Sequence, residues 1–384
     1  AVTLFLLSFA AVTPPFQAPD EVGHYWRACA LARGTVLPSM EGGRPSALIA
    51  RGERDLVAVL WVGTVGQSGE AAKVGTARLH DAQRVELHND EPVRVMFPAQ
   101  STAFAYVPQA AVCWIGKQLD IRPLYSFYLG RLANVACVIA LLAFALRHMA
   151  SPWPMLAIAG LPMLAFVCGS FSPDAMTIGL AFLVTSLAFS PPRSMRGWIA
   201  FCCLAFALAL CKPAYFLLPL IAITRIGVEQ RVLRLAMLAA VIVAGVAISA
   251  STVRRNFYPM RTDVPVDPTA QTEVIEQAPM RFARIVVNDY WTRGHEYARQ
   301  FVGTLGWLDV PLPHWLTDLT LILLLCVNVT AAVDVRMQDR IVLIAIVALT
   351  AVWISTTQYL AWNMIGGDQL DGIQGRTSCR LRPH

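Results

Sequence analysis

The chain predicts an all-α, polytopic membrane helix bundle. Hydrophobic residues make up 56% of its 384 residues and charged residues 15%, and the apolar residues are gathered into long blocks instead of being spread at soluble-helix or strand periods. A helix needs about 20 apolar residues to cross the bilayer core, where it satisfies its own backbone hydrogen bonds. Blocks meeting or approaching that length recur at 1–13, 124–146, 155–171, 175–190, 197–211, 213–224, 234–251, 316–333 and 341–365, about nine spans. Two large polar loops, 14–123 and 252–315, interrupt them.

Short loops rich in Lys and Arg stay cytoplasmic, whereas long loops are translocated largely regardless of charge. With residue 1 inside, the cytoplasmic connections are Arg147-His148, Pro192 to Arg196, Arg225 to Arg234 and Asp334 to Arg340, each carrying Arg. The outer set holds both long loops, Ser172-Pro173-Asp174, the Lys212-Pro213 break and Gly366 to Arg376. Asp20, Glu21, Asp174, Lys212, Asp309 and Arg376 are therefore expected on one side. The run 197–224 is best divided at Lys212, because Pro213 lacks a backbone donor and disfavours helix at the residue before it.

In the first loop, Asp20 to Arg33 has helical character ending at Gly34, and Phe97 to Leu119 is expected to lie along the interface or re-enter. Residues 41–95 read as a polar, Gly-rich insert. The second loop, with Pro259, Pro265, Pro268 and Pro279, reads as irregular until Thr304 to Pro313 leads back to the membrane. One polytopic domain over 1–376 is expected. The chain begins in mid-helix without Met, so the first span is read as cut short, and 377–384 reads as an aberrant or truncated tail.

The net charge of +6 does not point to nucleic acid, since no basic stripe interleaved with aromatics accompanies it. Six of nine Cys lie in or beside apolar blocks and read as small hydrophobes. No CxxC or Cys/His ligand spacing supports a disulfide framework or a zinc site.

The candidates for chemistry begin with Asp20 and Glu21, adjacent carboxylates just beyond the first span. In a helix starting near Pro19, His24 shares a face with both, a face that could hold a cation or activate a hydroxyl. The structural alternative is that Asp20 caps the helix and Glu21 complements its dipole. Lys212 between two apolar segments reads either as a cation for phosphate or as a snorkelling side chain. Asp174 reads first as a cap for the following helix, and Asp309 as a turn residue. Gln374-Gly375-Arg376 could bind an anion, because Arg offers planar bidentate donors to phosphate.

Taken in order, Pro14 to Arg27 (PPFQAPDEVGHYWR), Ser172-Pro173-Asp174, Lys212-Pro213-Ala214-Tyr215, Leu305 to Asp309 and Gly372 to Arg376 resemble the DUF2142 family of predicted bacterial membrane proteins. Thr377-Ser378 stands where that family typically runs on into an aromatic residue and another span. The family is similar to the GT-C class of integral-membrane glycosyltransferases. That likeness implies a catalytic acid in the first outer loop, at the place of Asp20 and Glu21; His24, Lys212, Arg376, Gln374, Asp174 and Asp309 are the candidate substrate-binding residues. It also implies transfer of a sugar from a polyprenyl-phosphate donor to an envelope glycan or lipid acceptor, at the outer face of the bacterial plasma membrane. Some members of that class need a divalent metal, for which Asp20, Glu21 and His24 would be the ligands. Two other functions fit the sequence: a transporter or flippase, which would carry polar residues through its spans and usually repeated halves, and a non-catalytic scaffold in envelope-polysaccharide assembly.

Overall fold

The computed structural model describes residues 1–61, 73–227, 230–259, 261, 264–307, 309–331 and 336–372. It is mostly helical with little sheet, and it divides into two compact units, Ala1–Phe257 with Leu324–Asp334 and Tyr258–Leu323 with Val335–His384.

The first unit opens with α1 (Val2–Val12) and α2 (Glu21–Ala32). As expected, α2 ends ahead of Gly34, whose φ of 87° suits glycine. The insert that follows contains three strands, β1 (Ser39–Glu41), β2 (Arg44–Ala50) and β3 (Pro92–Met96), in an antiparallel sheet ordered β1-β2-β3. The Gly42-Gly43 pair, both at positive φ, turns β1 into β2 as a two-residue hairpin. Helices α3 (Arg51–Trp61) and α4 (Thr76–Ala82) complete the insert. It is tied inward through Glu53, which accepts from the Ala50 backbone N at 2.8 Å and lies 3.4 Å from Lys117 Nζ. Lys117 belongs to α5 (Val107–Gln118), which follows a short 3-10 turn at Ala103–Tyr106.

The core of this unit is built by α1, α6 (Pro123–Leu146), α7 (Trp153–Ala159), α8 (Pro162–Cys168) and α9 (Asp174–Phe189). The expected span at 155–171 is two helices, α7 and α8. Pro162 follows the extended Leu161, the conformation favoured before proline. Next come α10 (Met195–Cys211), 3-10 turns at Pro213–Tyr215 and Leu218–Thr224, and α11 (Arg231–Asn256). The chain does break at Lys212, whose backbone is extended. From there it runs the length of α9: Lys212 pairs with Asp174 at the start of that helix, and the Arg225 guanidinium lies 5.8 Å from the ring centre of Phe189 at its end. Arg234 donates to the Pro192 and Arg193 carbonyls, and Ser186 to that of Ala145. Thus the ends of α6 and α9 and the arginine-bearing connections around them gather at one end of the unit, opposite Asp174 and Lys212.

The irregular loop expected at 252–315 is corrected: α11 of the first unit continues to Asn256, and the second unit brings two further helices, α12 (Pro268–Gln277) and α13 (Pro279–Gly303). Pro268 and Pro279 each open a helix, where the missing N–H is no loss and the fixed φ is already helical. Asp267 caps α12 by accepting from Thr269 N and Ala270 N. Two short strands, β4 (Thr304–Leu305) and β5 (Val310–Pro311), lead into α14 (His314–Ala331) and α15 (Met337–Trp362). A small core joins Ile285, Val286 and Tyr297 of α13 to Tyr359 and Leu370.

Among the described residues, four helices are long and apolar enough to cross a membrane: α6, α11, α14 and α15. The remaining apolar segments, Val2–Val12, Asp174–Phe189, Met195–Cys211 and Pro213–Thr224, are shorter.

Candidate functional site

Asp20 and Glu21 are neighbours in sequence with opposite surroundings. Glu21 is 1% exposed, and its carboxylate accepts four hydrogen bonds. Oε1 takes Arg131 Nε at 2.9 Å and the Phe171 backbone N at 2.7 Å. Oε2 takes Arg131 Nη2 and the Phe16 backbone N, both at 2.8 Å. Arg131, fully buried on α6, spends its other donors on the carbonyls of Ala10, Thr13 and Pro14. Its guanidinium also lies 4.7 Å from the ring centre of Phe127, which stacks on Phe171 at 5.2 Å. Gly130 makes room for that stack, since a Cβ there would sit 2.3 Å from the Phe171 ring. Tyr25 and Phe16 close the aromatic shell. A buried charge pair needs this many partners, because desolvation otherwise outweighs its Coulombic gain.

Asp20, by contrast, is exposed. It precedes the first turn of α2 with φ 60° and makes no side-chain cap bond, so capping does not explain it. The left-handed region costs an L-residue roughly 1–2 kcal/mol, least for Asn and Asp with their short polar side chains. The helix begins at Glu21, one residue later than expected. His24 is half-buried, with Nδ1 2.8 Å from the Tyr106 hydroxyl. Burial pulls its pKa below the ordinary histidine value, Asp20, Asp174 and Glu21 push it back up, and Lys212 adds to the lowering. Burial likewise raises the Tyr106 phenol. Asp20, Asp174 and Lys212 thus all lie within electrostatic reach of His24, and Asp20 and Asp174 within reach of Tyr106.

Asp174 is the first residue of α9, one place beyond the capping position, which Pro173 holds. Its own backbone N donates to the Ser172 hydroxyl at 3.2 Å. Its carboxylate instead lies 3.0 Å from Lys212 Nζ, with the two side chains 32% and 46% exposed. Exposed pairs contribute only about 0–1 kcal/mol. The turn Ser170 to Ser172 is held by buried Asn134 and Gln109, which donate to the carbonyls of Ser170 and Ser172.

Asp309 belongs to the second unit, where it accepts from Trp307 N at 2.9 Å in the turn between β4 and β5. Gln374 and Arg376 lie outside the described residues. Among the described residues no group of three or more His, Cys, Asp or Glu could hold a metal ion. Asp20, Glu21 and His24 do not make such a group, since both Glu21 oxygens are taken by Arg131 and backbone donors.

Sequence reasoning missed Arg131. The available signal was a lone ionisable residue well inside the second apolar block, where burying a charge is expensive and needs a partner. Tyr106, Asn134 and Gln109 carried no comparable mark.

The fold and this cluster define a helical membrane protein with a polar site at one end of its first unit. The chain belongs to the DUF2142 family of predicted membrane proteins, whose profile matches residues 3–376. No curated protein and no solved structure matches it.

Proposed function

We propose that the chain is a membrane glycosyltransferase with a GT-C-like fold of about nine crossings, transferring a sugar from a polyprenyl-phosphate donor at the outer face of a bacterial plasma membrane. The acceptor is an envelope glycan or lipid. The observation that carries this reading is the exposed Asp20 at φ 60°, placed just after α1 and within electrostatic reach of His24, which Lys212 and Asp174 reach as well. Strain retained in a non-glycine residue is a pointer to function once no structural role accounts for it. Segregation of Arg147, Arg193, Arg225 and Arg234 to the end opposite Asp174 and Lys212 supports the outward orientation of the site.

In this reading Asp20 takes the proton of the acceptor hydroxyl as that oxygen attacks the anomeric carbon. The bond from carbon to the lipid phosphate breaks through an oxocarbenium-like transition state, and the phosphate leaves with the electron pair. Attack opposite the phosphate inverts the anomeric centre. Lys212 exchanges Asp174 for the growing phosphate charge. The His24–Tyr106 pair lies near the base, and burial favours the uncharged imidazole. Glu21 takes no part in proton transfer and fixes the turn that presents Asp20. No step runs through a metal, and Asp309, Gln374 and Arg376 are assigned none.

The test is transfer of radiolabelled sugar from a panel of polyprenyl monophosphate-linked sugars by the full chain in nanodiscs. Asp20→Asn should abolish transfer while leaving the thermal unfolding midpoint in place. Undiminished transfer by that variant would end the proposal. Loss of transfer separates an enzyme from a scaffold, whose partners would not sense one exposed amide.

A further inference from the structure

Two cysteines of the first loop, 84 residues apart in sequence, meet in the fold with their sulfurs 3.8 Å apart. Cys29 lies on α2 and Cys113 on α5, and both are buried. The helices they join are the ones that frame the site. Asp20 and His24 stand at the start of α2, and Tyr106, the partner of His24, immediately precedes α5. The same contact is crossed by Lys117, which donates to the Cys29 carbonyl at 2.9 Å, so the two helices are held in register around the sulfurs. The sulfurs stand 3.8 Å apart against a bond length of about 2.05 Å.

We infer that Cys29 and Cys113 are a disulfide site, a covalent staple between α2 and α5 formed after the first loop reaches an oxidising compartment. This rests on the outward orientation of residues 14–123 proposed above, because disulfides persist in such compartments and are rare where thiols are kept reduced. The oxidant is the disulfide of a thiol-oxidising protein. One cysteine thiolate attacks it to give a mixed disulfide, the second displaces the donor, and the donor leaves as a dithiol carrying the two electrons. Burial raises the Cys29 thiol well above its ordinary value, which disfavours attack once α2 and α5 have packed. Oxidation therefore belongs to the folding chain, and packing then shields the bond from reductants.

The experiment uses the unmodified full chain. Membranes are quenched with N-ethylmaleimide, digested without reduction and mapped by mass spectrometry. The expected result is a cross-linked peptide pair containing Cys29 and Cys113 in the majority of chains, which disappears when a phosphine is added before digestion. Phosphine present throughout the thermal scan, where opening of the α2–α5 contact exposes the bond, should also lower the unfolding midpoint of the native chain and leave that of the Cys29→Ser, Cys113→Ser double variant unchanged. Recovery of both cysteines alkylated without reduction overturns the inference. A parallel arm labels Val36→Cys, at an exposed position, with a membrane-impermeant maleimide on intact cells. Free thiols with Val36→Cys labelled defeat the staple alone, whereas free thiols with Val36→Cys protected defeat the outward orientation as well.

Discussion

Replacing Glu21 with glutamine preserves the side chain's shape and removes half of its acceptor capacity. In either amide orientation the new NH2 faces two donors: Arg131 Nε with Phe171 N, or Arg131 Nη2 with Phe16 N. Two hydrogen bonds are lost and the buried guanidinium loses its counter-charge. Hydrogen bonds to charged groups contribute about 1.5–3 kcal/mol each, which makes about 3–6 kcal/mol for two. Removing one partner of a buried ion pair costs about 3–5 kcal/mol by direct comparison. The overlap, about 3–5 kcal/mol, corresponds to roughly 6–20 °C in unfolding midpoint at ~2–4 °C per kcal/mol. The assay is tryptophan-monitored thermal unfolding in nanodiscs, with Asp20→Asn as the control expected to stay within about 0.5 kcal/mol of the native chain. The double variant Glu21→Leu, Arg131→Met should recover much of the loss, since well-packed apolar pairs often replace buried ion pairs without penalty. Equal stability of Glu21→Gln and Asp20→Asn would refute a structural role for Glu21.

Four further outcomes are expected. Asp20→Gly should be more stable than Asp20→Ala by about 1 kcal/mol in chemical denaturation, because only glycine occupies a φ of 60° without a Cβ penalty. Gly130→Ala should lose about 1–3 kcal/mol through overpacking against the Phe171 ring, and Phe171→Leu should restore part of it in the same thermal assay. Lys117→Met leaves the buried Glu53 carboxylate without its counter-charge and should cost about 3–5 kcal/mol, with limited proteolysis of the insert as the readout. His24 has a pKa lower in the folded than in the unfolded state, so below the ordinary histidine value the unfolded chain binds more protons. Its stability contribution is then present near neutral pH and lost as pH falls, and His24→Asn should flatten the stability-versus-pH curve there.

The features that were legible in the sequence are those fixed by local rules. Pro213 marks the break at Lys212, Gly34 marks the end of α2, and the arginine-bearing short connections mark one end of the first unit. Where prolines open helices instead of breaking them, as at Pro268 and Pro279, composition alone misleads and a helical region reads as irregular. The sheet of the insert escaped notice because its short strands lack clean alternation, although Gly42-Gly43 was a hairpin signal. At the site, the adjacency of Asp20 and Glu21 was visible, but their division of labour was not. It depends on Arg131, 110 residues away in sequence, and on backbone donors at Phe16 and Phe171 that any residue type could supply. The meeting of Cys29 and Cys113 is likewise a property of how α2 packs on α5.

The distance along the chain between Glu21 and Arg131 also orders the birth of the protein. Glu21 leaves the ribosome first and waits in water while 110 more residues are made. Without Glu21 in place, α6 would carry the Arg131 charge unmatched into the lipid, at about 2.5–3.5 kcal/mol if held at mid-depth. The turn after α1 therefore serves as a docking socket that must already stand in place for α6 to settle. A chain that misplaces α1 and the turn after it leaves that arginine without its carboxylate.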